Sequence, residues 1–127
     1  MSAADVELVR RTWEAFSRRD AEAVSDVLDQ QLQWYPADEP TAGCHGREEA
    51  LTFIRGAIAG GVSADLVDVR DAGDRVVLIL HRHREPESGE RPEPHGEVVT
   101  VRDGKVTEMV IYWTVDETLS AAGLAVT

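Results

Sequence analysis

Hydrophobic positions in the first half of the chain recur at helical spacing. Apolar residues appear every three or four positions over residues 4–18 and 47–59, with charged residues between them, which predicts two amphipathic helices. Asp20 is suited to cap a shorter helix over residues 21–28. The stretch "LQWYP" predicts a short strand that ends at Pro36.

In the second half the hydrophobic period changes from about 3.6 to 2. The segments "SADLVDVR" and "RVVLILHRHR" predict two strands separated by the turn "DAGD". The run "GEVVTVRDGKVTEMVIYW" predicts a hairpin about Asp103-Gly104. The segment "EPESGERPEP", between "RVVLILHRHR" and this hairpin, is typical of a polar hairpin end. The segment "DETLSAAGL" predicts a short helical tail.

This order of elements predicts an α+β fold, with a curved antiparallel sheet wrapped around three N-terminal helices and a cavity between the two layers. The length of 127 residues fits a single domain over residues 1–127. Because the strand "RVVLIL" is apolar on both faces, both faces of the sheet must be covered. The helices would cover one face and a second copy of the chain the other, so a homodimer is predicted.

Composition narrows the possible partners. A formal net charge of -11 and the lack of a basic stripe argue against nucleic-acid binding. The sequence contains no apolar stretch near the roughly 20 residues that a membrane-spanning helix needs. A single cysteine, Cys44, suits a cytoplasmic protein. The glycines form no phosphate-binding loop, so we expect no nucleotide cofactor.

Five segments in this order resemble the SnoaL-like proteins and the ketosteroid isomerases of the nuclear transport factor two-like superfamily: "VELVRRTWEAFSRRDAEAVSDVL", "GREEALTFI", "DAGDRVVLIL", "VRDGKV" and "DETLSAAGL". The resemblance covers nearly the whole chain. It implies a cone-shaped α+β barrel with a mostly apolar pocket for a small hydrophobic molecule. It does not imply one reaction, because the fold includes isomerases, cyclases, hydrolases, dehydratases and proteins without chemistry.

The ketosteroid isomerases use a carboxylate base and, opposite it, a tyrosine with a protonated aspartic acid that stabilise an enolate oxygen. The resemblance puts Glu97 at the aspartic acid position. It puts Thr12 at the tyrosine position and Tyr35 near the base position, with Asp38 the closest carboxylate. Both departures argue against steroid isomerase activity, since a phenol cannot replace a carboxylate base at neutral pH.

Three readings of the histidines are open. The alternation Val77, Ile79, His81, His83 is expected to turn both histidines toward the cavity. There, His81 could exchange protons beside Glu97, or both histidines could bind a metal with His95 or Glu97 as a third ligand. Alternatively, both lie at the solvent-exposed end of a strand. We place no metal in the site. His95, between Pro94 and Gly96, is expected in a loop.

The sequence therefore predicts a cofactor-independent isomerase, cyclase or lyase that acts on a hydrophobic carbonyl or polyketide-like compound by acid–base catalysis. The predicted catalytic residues are His81, Glu97 and Tyr35. The predicted substrate-binding residues are Trp13, Trp34, His83, Met109 and Trp113. The alternative is a ligand-binding or dimerisation module without catalytic activity.

Overall fold

The computed structural model describes residues 3–61, 63–83 and 94–125, although the side chains of Ser63, Arg82 and His83 are not part of that description. The elements, in chain order, are α1 Ala3–Ser17, α2 Ala21–Asp26, β1 Leu28–Pro36, β2 Cys44–His45, α3 Arg47–Ala59, β3 Ser63–Asp71, β4 Arg75–His83, β5 His95–Arg102, β6 Lys105–Tyr112 and α4 Val115–Ala121. The predicted hairpin end over residues 85–94 falls almost entirely outside the described residues.

The six strands form one curved, unclosed sheet in the order β2-β1-β6-β5-β4-β3. Neighbouring strands are antiparallel except β1 and β6, which run parallel. The β5–β6 turn has Asp103 and Gly104 at φ of 52° and 75°, the left-handed conformation that the Asp-Gly pair was expected to supply. The predicted α+β class is confirmed.

Each face of the sheet carries its own hydrophobic core. On the concave face, Val76, Leu78, Leu80 and Val99 pack with α1, α2 and α3. On the opposite face, which we call the outer face, Val77, Ile79 and Val98 pack with residues of α4, including Leu119 and Ala122. The C-terminal helix therefore covers part of the surface that we expected a second copy of the chain to cover.

Helix α4 begins at a side-chain cap and packs closely on the sheet at a glycine. The Thr114 hydroxyl accepts a hydrogen bond from the Glu117 N–H at 3.1 Å and donates one to the Glu117 carboxylate at 3.0 Å. A Cβ at Gly96 would lie 2.5 Å from the side chain of Thr118, which is fully buried. Gly96 thus leaves the space in which Thr118 packs against β5.

Candidate functional site

A cavity of about 350 Å³ lies between the concave face of the sheet and the helices. This volume is within the range of small-molecule sites, roughly 300–1,000 Å³. The lining is predominantly aliphatic and aromatic. Its residues are Val9, Thr12, Trp13, Phe16, Val24, Leu28, Trp34, Phe53, Ile54, Ala57, Ala64, Leu78, Leu80, His95, Glu97, Val99, Val106 and Met109.

Of the residues that the structure describes, His95 and Glu97 are the ionisable ones that line this cavity. They are two residues apart on β5, so both project from the same face of the strand, with their Cα atoms about 7 Å apart. The sheet register pairs His95 with Leu80 and Glu97 with Leu78, and both leucines also line the cavity. The exposed fractions of His95 and Glu97 are only 7% and 8%. A histidine and a carboxyl group therefore share one wall of a largely apolar cavity.

His95 was expected in a loop, and this expectation was wrong. Pro94 precedes the strand, and β5 begins at His95 itself, which pairs with Leu80 of β4. The sequence did contain a pattern that indicates the cavity face. His95 lies an even number of residues before Glu97, Val99 and Val101, so in a strand all four project from the same face. This pattern could not be used from the sequence alone, because the pairing of this strand with the preceding one was not known.

The orientation expected for His81 is corrected by the alternation of β4. Leu78 and Leu80 face the cavity, so Val77, Ile79 and His81 face the other way. His81 is paired in the register with Asp65 of β3, on the outer face. The side chain of His83 lies outside the described part of the structure.

Tyr35 also faces away from the cavity. Its hydroxyl donates a hydrogen bond to Glu108 Oε2 at 2.9 Å, and it pairs with Val110 of β6. Burial raises the pKa of Tyr35 above its ordinary value of 10.0, and the Glu108 carboxylate raises this pKa further. Tyr35 therefore keeps its proton on the outer face, and the expectation that it would face the ligand is corrected.

Three of the predicted ligand-contacting residues line the cavity: Trp13, Trp34 and Met109. Trp113 does not, since 47% of its surface is exposed and its indole N–H donates to Asp38 Oδ1 at 3.1 Å. The Trp113 ring nevertheless lies beside the His95 ring, with the two centroids 6.1 Å apart. Trp113 thus contacts a cavity residue rather than the cavity.

The remaining polar groups of the lining are few. The Thr12 hydroxyl donates to the Leu8 carbonyl oxygen at 2.7 Å, so its proton is already used within α1. Trp34 is different, because its Nε1–H is buried and has no hydrogen-bond partner among the described residues. Its ring packs edge-on against Phe53 of α3, with centroids 5.3 Å apart and planes at 90°.

Metal-ligand chemistry finds no support in the described residues. Within residues 3–61, 63–83 and 94–125, no group of three or more His, Cys, Asp or Glu side chains is arranged to hold a metal ion. The residues expected to share a metal lie on opposite faces of the sheet, because His95 and Glu97 face the cavity while His81 faces the outer surface. Cys44 is buried, and burial together with Glu49 raises the pKa of its thiol.

Among the described residues, every helix is too short or too polar to span a membrane.

Similar structures have been solved. An NTF2-like protein of unknown function from Burkholderia pseudomallei is 22% identical, with a TM-score of 0.72 over 94% of this chain and 97% of that one. A second, from Mesorhizobium loti, is 23% identical, with a TM-score of 0.73 over 87% and 91%.

A third similar structure, from Sinorhizobium meliloti, is described as a candidate polyketide cyclase. It is 19% identical, with a TM-score of 0.69 over 83% of this chain and 93% of that one. No curated protein matches the chain. These similarities establish the fold. The sequence pattern of the SnoaL-like domain matches residues 9–109. The chain therefore belongs to the SnoaL-like family.

Proposed function

We propose that the protein binds a small hydrophobic carbonyl or polyketide-like compound in this cavity and catalyses an isomerase, cyclase or lyase reaction on it by proton transfer, without a cofactor. The observation that carries the proposal is the presence of His95 and Glu97 on one wall of an otherwise apolar cavity. The description of a similar structure as a candidate polyketide cyclase is consistent with this class of compound.

The two side chains suit the opposite halves of an enolisation. One of them, in its basic form, removes a proton from the carbon next to the carbonyl group, and the C–H electron pair moves to form an enolate. The other, in its protonated form, donates a hydrogen bond or a proton to the carbonyl oxygen. Return of the first proton to a different carbon gives an isomer, whereas attack of the enolate carbon on a second carbonyl closes a ring.

Exchange of hydrogen for deuterium tests this proposal without knowledge of the product. The protein is incubated with 1-tetralone in heavy water, and loss of the α-proton signal is followed by NMR. We expect exchange above the buffer rate, with a loss of at least 100-fold in Glu97→Gln and in His95→Asn. Exchange at an unchanged rate in both variants would contradict the assignment.

Matched controls come from the outer face. His81→Asn removes a histidine from the neighbouring strand, and Glu108→Gln removes a carboxylate from β6 while it keeps an oxygen that can accept from Tyr35. Both variants are expected to retain the full exchange rate. If His81→Asn instead lost activity and His95→Asn did not, the catalytic histidine would be His81.

The second candidate function is ligand binding without chemistry. Thr12 has its hydroxyl proton engaged with Leu8, and Tyr35 faces outward, so neither of these two positions supplies an isomerase-type group to the cavity. Binding of bicyclic ketones with no exchange above the buffer rate would favour this function. We also propose that the protein forms a homodimer in the cytoplasm. Sedimentation velocity measures whether it is a monomer or a dimer.

A further inference from the structure

Phe53 lies at the boundary between the cavity and a second hollow on the surface. It is the most exposed residue of the described cavity lining, with 53% of its surface accessible. The second hollow, of about 390 Å³, lies between β2 and the first half of α3. Its described residues are Gly43, Cys44, Glu48, Glu49, Thr52 and Phe53. Among the residues that the structure describes, Phe53 is the one that lines both spaces.

The Phe53 ring closes the gap between the helix layer and the sheet. Phe53 belongs to α3 and Trp34 to β1, and their rings meet edge-on with centroids 5.3 Å apart and planes at 90°. Edge-on aromatic pairs are favourable, so the Phe53 ring has a preferred place across this gap. The contact between Phe53 and Trp34 therefore forms a partition, and Phe53 lines the space on each side of it.

The sheet side of this partition is fixed, whereas the helix side is open. Gly43 packs so closely on β1 that a Cβ there would lie 2.2 Å from the Trp34 carbonyl oxygen. Helical side chains lean toward the N-terminus, so the residues placed to cover Phe53 are Gly56 and Ala57. Both are small, and a Cβ at Gly56 would meet nothing within 4 Å. The Phe53 side chain is thus the part of the partition that can yield.

The partition lies across the sheet from the ionisable pair. Trp34 is on β1, and β6 separates it from β5, which carries His95 and Glu97. Two strand spacings of about 4.8 Å put β1 and β5 about 10 Å apart. A ligand whose carbonyl group faces His95 and Glu97, and whose body extends across the sheet, therefore approaches the partition with its far end.

From these observations we infer that Phe53 determines the length of the compounds that the cavity accepts. While its ring lies against Trp34, the ligand is confined to the cavity. A longer rigid compound has to displace the Phe53 ring and extend into the second hollow. The inference rests on the proposed binding of a hydrophobic carbonyl compound in this cavity. It defines the substrate class as compact bicyclic ketones rather than elongated polycyclic ones.

Binding of two isomeric tricyclic ketones tests the inference. In 1-oxotetrahydroanthracene the three rings are in a line, and in 1-oxotetrahydrophenanthrene they form an angle, so the isomers have the same composition and differ in length. The linear isomer should bind the unmodified protein more weakly than the angular isomer. Titration calorimetry measures both affinities, with 1-tetralone as the shorter reference compound.

Phe53→Ala should relieve this limit. The linear isomer should bind the variant about tenfold more tightly than the unmodified protein, because it no longer has to break the aromatic contact with Trp34. The angular isomer and 1-tetralone, which do not extend to the partition, should gain nothing. Since more than half of the Phe53 surface is exposed, the variant is expected to stay folded, and urea unfolding checks this. Phe53→Trp keeps a ring in the gap and should leave the linear isomer the weaker ligand.

Phe16→Ala is the matched control for added space. Phe16 also lines the cavity, but it lies on α1 against Trp13 and is not among the described residues of the second hollow. Its truncation should affect the two tricyclic isomers alike. Val67→Ala controls for the loss of an exposed apolar side chain, since Val67 is 60% exposed and is not among the described residues of either space. It should change none of the affinities.

NMR locates the far ring of the linear isomer. In Phe53→Ala, protons of this ring should show nuclear Overhauser effects to the methyl group of Thr52, which lines the second hollow, and 1-tetralone should show none. Equal gains for the linear and angular isomers in Phe53→Ala, the same selective gain in Phe16→Ala, or the absence of effects to Thr52 would each overturn the inference.

These readouts are independent of catalysis. If deuterium exchange fails while Phe53→Ala selectively tightens binding of the linear isomer, the proposed chemistry is wrong and the inference holds. If exchange on 1-tetralone depends on Glu97 but Phe53→Ala does not discriminate between the isomers, the inference is wrong and the proposed chemistry holds.

Discussion

Tyr35 donates a hydrogen bond to Glu108 across the β1–β6 pair, on the face of the sheet that the cavity does not reach. The pKa of Tyr35 is raised by burial first and by the Glu108 carboxylate second. Since the folded chain keeps the phenol proton to higher pH than the unfolded chain, stability contributed by this group is complete below pH 10.0 and is lost as the pH rises through the folded-state pKa.

We therefore expect Tyr35→Phe to lower the free energy of unfolding at pH 7 through loss of the hydrogen bond, by about 1 kcal/mol. The difference between the two proteins should shrink above pH 10.0, because the variant has no phenol to ionise. Urea unfolding at several pH values measures this. A difference that grew with pH in the alkaline range would contradict the assigned direction of the pKa shift.

Gly96→Ala should destabilise the fold. The new Cβ would lie 2.5 Å from Thr118 and 2.8 Å from the Leu78 carbonyl oxygen, which is backbone and cannot rotate away. We expect a loss of about 1–3 kcal/mol in urea unfolding. Thr118→Ala in the same chain should recover only the part that is due to the Thr118 contact.

The matched control is Gly56→Ala in α3, where a Cβ would meet nothing within 4 Å. There the replacement should stabilise the helix by about 0.5–1 kcal/mol, since alanine favours helix over glycine. Equal effects of the two substitutions on the free energy of unfolding would show that the close approach at Gly96 is absent.

The ring of Trp113 should influence the NMR signals of His95. With centroids 6.1 Å apart, the indole ring shields or deshields the His95 ring protons. Trp113→Leu should move these signals, and Asp38→Ala should move them part of the way, because it removes the 3.1 Å hydrogen bond that holds the indole. The signals of His45, which contacts Gln33 and Thr41 instead, are expected to stay unchanged.

Filling the cavity should weaken binding without unfolding the chain. Ala57→Leu on α3 adds volume inside the cavity, whereas Ala59→Leu adds the same volume on the exposed side of the same helix. We expect at least about tenfold weaker binding of 1-tetralone for the first variant and unchanged binding for the second. Titration calorimetry measures both, and equal affinities would place the ligand elsewhere.

Helix spacing and turn chemistry were readable from the sequence. The third helix has the predicted bounds, 47–59, and the first differs from prediction by one residue at each end. Strand β1 begins at Leu28 rather than at residue 32, because Val27 already ends α2 and Leu28 pairs with Val106 in the sheet. Local patterns predict elements well, but where a strand begins depends on its partner.

The face of the sheet on which each histidine lies could not be predicted from the sequence. Residues Val76 to Leu80 are buried on both sides of β4, since helices cover one face and α4 the other. Alternation then identifies two faces but not which one encloses the cavity. The position of Glu97 in the cavity was predicted from the family resemblance. His95 was missed because the connection between β4 and β5 hides the register.

Strand β5 carries two incompatible requirements at alternate positions. His95 and Glu97 face the cavity, while Gly96 and Val98 face α4. A slip of the strand by a single residue would exchange the two sets, bringing the ionisable groups against Leu119 and Ala122 and a glycine into the cavity wall. A one-residue insertion within β5, between Glu97 and Val98, would thus give one end of the strand the wrong side chains on both faces, whereas an insertion of two residues would keep every side chain on its own face.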